Sequence, residues 1–78
     1  DPEEIIQYEV ESGNLIDEDT YGVSYTTCYK ESEKELALEE FEDCINCGQF
    51  NFVDLVQRTI INENPYDTEY LKEWKRNE

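Results

Sequence analysis

The chain contains no histidine, and its six Lys and Arg face 21 Asp and Glu. Without imidazole, acid–base chemistry near neutral pH falls to carboxylates, and the His half of the common zinc ligand sets is missing. No glycine-rich stretch resembles a phosphate-binding loop, since the chain has only three Gly. No Ser or Cys has a nameable base partner to activate it as a nucleophile. Apolar runs stop at about three residues, which excludes a membrane-spanning helix and leaves no charged-then-apolar start of the kind that directs secretion. The shortage of cations excludes nucleic acid and anionic membrane as direct ligands, because both repel so acidic a surface. The expectation is a protein that is not an enzyme, holds no cofactor and touches no membrane.

Cysteine is also scarce. Cys28, Cys44 and Cys47 are odd in number, which fits a reducing, cytoplasmic setting better than a secreted disulfide framework. The Cys44-Ile45-Asn46-Cys47 spacing is half of a zinc site, but no second such pair exists, so closing a tetrahedron would require Cys28 and a carboxylate. A helix C-terminus among acidic residues also disfavours a reactive thiolate. The pair reads as two small, half-buried thiols closing a helix, with no metal. Asp17 to Gly22 has the opening of a calcium loop, yet the twelfth position is Cys28 where a Glu is required, which rejects an EF-hand.

What remains is a chain of 78 residues with a formal charge of −15, room for one small domain spanning residues 1–78 and little room for a deep cleft. Hydrophobic residues make up 37% and aromatics 13%, too much for a disordered acidic tail. The chain begins at Asp1 where a complete protein would carry Met, which fits trimming or processing.

Ile5 to Glu11 alternates, with Ile6, Tyr8 and Val10 on one face and Gln7, Glu9 and Glu11 on the other, and so predicts a half-buried strand. Ser12-Gly13-Asn14 breaks that pattern, Asp17-Glu18-Asp19 reads as a polar connection, and Tyr21 to Tyr29 predicts a second strand in a hairpin. Ser32 and Glu35 have the spacing of a capping box. A helix over about residues 33–47 follows, with Ala37, Leu38, Phe41, Cys44 and Ile45 on its core side and Gly48 as its left-handed stop. Phe50 to Ile61 is dense in β-branched residues and predicts a third strand. Asn62-Glu63-Asn64-Pro65 reads as a breaker and Asp67 to Arg76 as a short terminal helix. The expected fold is α+β: a three-stranded antiparallel sheet, one central helix packed on a face, and a short C-terminal helix.

The carboxylates admit two readings. In one they form a solvated face that keeps the protein soluble. In the other they stand in for phosphates, because the Lys and Arg forks of a nucleic-acid groove bind carboxylate as readily as phosphate. Glu35, Glu39, Glu42 and Asp43 would form one helical stripe with Glu40 at its edge, and Asp17, Glu18 and Asp19 could extend it. Tyr25 belongs with the sheet, whereas Tyr8, Tyr66 and Tyr70 have the character of rigid interface anchors.

In size, acidity and α+β build the chain resembles the small DNA-mimic inhibitors that phages and mobile elements direct at host nucleases, among them anti-restriction and anti-CRISPR proteins. The resemblance is one of composition and carries no motif. It implies a cytoplasmic inhibitor whose partner is a basic nucleic-acid-binding protein. An immunity protein or antitoxin capping a toxin nuclease shares the same physics, and an acidic interaction domain trimmed from a larger protein is the reading from a different class.

Overall fold

The computed structural model describes residues 3–76. Strands β1 (Glu4–Leu15) and β2 (Tyr21–Lys30) form the expected hairpin. A short 3-10 turn (Glu31–Glu33) leads into helix α1 (Lys34–Asn46), which is followed by β3 (Phe52–Ile61) and β4 (Asn64–Lys75). The sheet has four antiparallel strands in the order β2-β1-β3-β4. Because β3 pairs with β1 on the side away from β2, the chain must cross over β1, and α1 is that crossing.

Two sequence expectations are corrected here: the sheet has four strands where three were expected, and residues 67–75 lie in β4 where a helix over Asp67 to Arg76 was expected. Asn62 and Glu63 both adopt left-handed φ, 50° and 68°, as the two central residues of a type I′ hairpin must. The breaker is therefore a two-residue turn. It returns the chain along the open edge of β3, whose unpaired backbone groups outweigh the modest helix propensity of residues 67–76.

The break expected at Ser12-Gly13-Asn14 is likewise absorbed into a strand. The β1–β2 register shifts between Ser12 and Gly13, a bulge that lets β1 continue to Leu15. Only glycine suits this point, because a Cβ on Gly13 would fall on the Gly22 carbonyl oxygen and within 2.9 Å of the Phe52 ring.

Helix α1 buries Ala37 and Phe41 against Tyr8 and Val10 of β1 and Val53 and Leu55 of β3, with Leu38, Cys44, Ile45, Leu71 and Trp74 packed around them. Leu55, Val53 and Val56 are fully inaccessible to solvent. Glu33, not Glu35, reaches back to the chain, its Oε1 accepting from the Lys30 N–H at 2.9 Å, so the start signal lies two residues earlier than the expected box. Gly48, at φ 76°, ends the helix as expected. Arg76 ties the end of β4 to the link between α1 and β3, its Nη2 donating to the Gly48 and Phe50 carbonyls at 2.9 Å each.

Candidate functional site

The exposed side of α1 carries Glu35, Glu39, Glu42 and Asp43, all open to solvent. A helix rises about 1.5 Å per residue, so carboxylates three or four positions apart stand about 5–6 Å from one another along its axis. Leu38, Glu39, Glu42 and Asp43 line a shallow depression of about 330 Å³. Of the four, only Glu35, in the first turn, suits the helix dipole. Glu35–Glu39, Glu39–Glu42 and Glu39–Asp43 repel at i,i+4 or i,i+3, and no basic residue occupies the last turn, where the dipole would favour one. Glu40 departs from the stripe: it is half-buried, and its Oε1 accepts from the Cys44 thiol at 3.6 Å.

Asp17, Glu18 and Asp19 sit exposed in the β1–β2 connection. The Leu15 N–H donates to the Asn51 side chain at 2.8 Å, and Asn51 belongs to the link between α1 and β3. The acidic loop therefore lies at the end of the sheet to which the C-terminus of α1 points, the end nearer Glu42 and Asp43 than Glu35. Asp17 also shapes the turn, its Oδ1 accepting from the Asp19 and Thr20 N–H groups at 3.1 and 3.0 Å. Those donors, Asp19 first, hold its carboxyl below the usual aspartate value.

Tyr66 and Tyr70 are exposed on β4 at the opposite edge of the sheet, and Tyr70 stands across from Val56, on the side away from the helix. The two tyrosines do not share a surface with the helical stripe. Tyr8 is buried in the core. Tyr25 is 65% exposed and meets Phe50 edge-on at 5.3–5.7 Å ring spacing typical of this protein's aromatic pairs, here 5.7 Å.

A second acidic array was not legible in the sequence. On the face of the sheet away from the helix, register sets Glu11, Asp54 and Glu73 directly opposite one another on β1, β3 and β4. Neighbouring strands lie about 4.8 Å apart, which makes this row at least as dense as the helical one. Burial first, then the Glu73 and Glu11 charges, push the Asp54 carboxyl above its usual value. Only the pairing of strands reveals the row, and one of those strands was expected to be a helix. Beside it, Glu9 is buried and its Oε2 lies 3.0 Å from Arg58 Nε. That contact is an ion pair outside hydrogen-bond alignment, and Arg58 Nε is without a hydrogen-bond partner.

The cations explain why so much negative charge stays unopposed. Lys34 lies over the Tyr8 ring, Lys72 over Phe41, Lys75 over Tyr21 and Arg76 over Trp74, at 5.2–5.9 Å from the ring centroids. Arg58 is paired with Glu9. Five of the six basic side chains thus serve the fold itself, and Glu9 is the one carboxylate in an ion pair among the described residues.

The cysteines do not converge. Cys28 stands opposite Glu9, on the face of the sheet away from the helix, while Cys44 packs against the core on the helix side. Among the described residues no group of three or more Cys, Asp or Glu side chains is placed to hold a metal ion. Burial first, then Glu9 for Cys28 and Glu40 for Cys44, push both thiols up, away from the thiolate form that reacts or ligates. Among the described residues no helix is long and apolar enough to cross a membrane. No family model, curated protein or solved structure matches the chain.

Proposed function

We propose that the chain is an acidic inhibitor that acts in the cytoplasm, presenting the carboxylates of α1 in place of nucleic-acid phosphates and blocking the basic groove of a nuclease or other nucleic-acid-processing protein. The observation that carries this reading is the division of charge. Basic side chains lie over aromatic rings or beside a buried carboxylate, and no carboxylate of the α1 stripe is in an ion pair among the described residues. A surface serving solubility alone gains nothing from like charges set on adjacent helical turns, whereas a phosphate substitute needs them. The arrangement supports Glu35, Glu39, Glu42 and Asp43 as the contact, with Glu18 and Asp19 extending it, and leaves Glu40, Tyr66 and Tyr70 outside it.

The test is capture of the partner followed by competition with duplex DNA. Replacing Glu35, Glu39 and Glu42 by Gln and Asp43 by Asn should slow association about tenfold or more while leaving the folded protein at least as stable. A partner that binds this protein and DNA together without loss of affinity would make the protein an ordinary adaptor and end the mimic reading.

A further inference from the structure

Strand β2 differs from the rest of the surface. From Tyr21 to Tyr29 it contains no charged residue, in a chain of formal charge −15. It is an edge strand, paired only with β1, and its other side offers a row of backbone donors and acceptors. Tyr21, Val23 and Tyr25 are 42%, 55% and 65% exposed, and Leu15 and Ile16 add exposed apolar surface at the same end.

The other edge shows what protection looks like. β4 carries Pro65, Asp67, Glu69 and Glu73, and two register irregularities interrupt its pairing with β3. Charge, proline and bulges are the devices that keep an edge from pairing with another chain. β2 has a single bulge and no charge before Lys30.

We propose that β2 pairs antiparallel with β2 of a second copy, joining two four-stranded sheets into one continuous sheet about a two-fold axis. A cationic partner gains nothing from a strip without carboxylates, whereas an identical strand supplies matched hydrogen bonds and β-branched and aromatic side chains to pair across the seam. One side chain at each end is complementary as well, Lys30 standing directly before Glu31 and Glu33. Glu18 and Asp19 precede it and Lys30 closes it, so antiparallel pairing brings Lys30 of each copy toward the acidic loop of the other. Lys30 is the one basic residue without an ion-pair or ring partner among the described residues. The inference stands independently of the inhibitor reading.

Sedimentation equilibrium of the full chain tests it. The copies repel through their net charge, so raising salt from about 0.05 to about 0.5 M should tighten self-association several-fold, opposite in sign to the salt response of a cationic partner. At fixed salt Lys30→Glu should weaken the dimer about tenfold, and adding Asp19→Lys in the same chain should restore it, because the pair is then reversed. Hydrogen exchange should slow at β2 amides as concentration rises and remain unchanged in β4. A chain that stays monomeric at every concentration and salt overturns the proposal. So does a dimer that ignores Lys30→Glu, stays weak in the double variant, or leaves β2 exchange untouched.

Discussion

Asp54 is the residue at which folding works against its own charge. It lies between Glu11 and Glu73, and like charges directly opposite on neighbouring strands are destabilising. A carboxyl whose folded pKa is raised binds its proton more tightly when folded, so its cost is full above the folded pKa and disappears as pH falls through it. Asp54→Asn should therefore stabilise the protein by about 0.2–1 kcal/mol near neutral pH. The gain should shrink in acid, which urea unfolding at pH about 7 and about 3.5 would show. A gain that stayed constant across that range would mean that the amide acts through a new hydrogen bond instead of through charge. Asp17 has the opposite sign: its lowered pKa makes its contribution to the turn present above the ordinary carboxylate value and lost as pH falls through the lowered one.

At the scale of elements, the β3–β4 hairpin is where a sequence reading and the structure part. β1, β2 and α1 were legible because each carries one clear period, alternation in the two strands and Ala37, Phe41, Cys44 and Ile45 on one side of the helix, and β3 because it is dense in β-branched residues. Residues 66–75 carry both periods. Tyr66, Thr68 and Tyr70 alternate as a strand requires, but Tyr70 and Trp74 also stand four apart, and the acidic and basic residues between them suit a helix. The deciding signal is the turn, and Asn62-Glu63 conceals it, because Glu carries no preference for left-handed φ. Glu63→Gly should relieve that backbone cost and stabilise the hairpin by up to about 1 kcal/mol, measurable as a rise in the urea midpoint. The candidate site was legible to a similar extent. The α1 stripe follows from helical spacing alone, whereas the Glu11–Asp54–Glu73 row depends on which strands are neighbours, a long-range property that no local pattern contains.

For the molecule as a whole, the placement of Lys34, Lys72, Lys75 and Arg76 over aromatic rings, away from the carboxylates, has a consequence for competition with nucleic acid. Duplex DNA carries one charge per about 1.7 Å and holds a condensed layer of counterions, whose release drives its binding and makes its affinity collapse as salt rises. The α1 stripe spaces its carboxylates about 5–6 Å apart. A row of four carboxylates is too short to hold such a layer, so docking this protein releases fewer ions and its affinity should fall less steeply with salt. The ratio of protein to DNA bound to a shared groove should then rise several-fold between about 50 and 200 mM salt, and a ratio that fell instead would show the protein to be the more salt-sensitive ligand. A ligand that lacks the ion atmosphere of DNA also lacks its entropic drive, so it competes best where that drive is already exhausted.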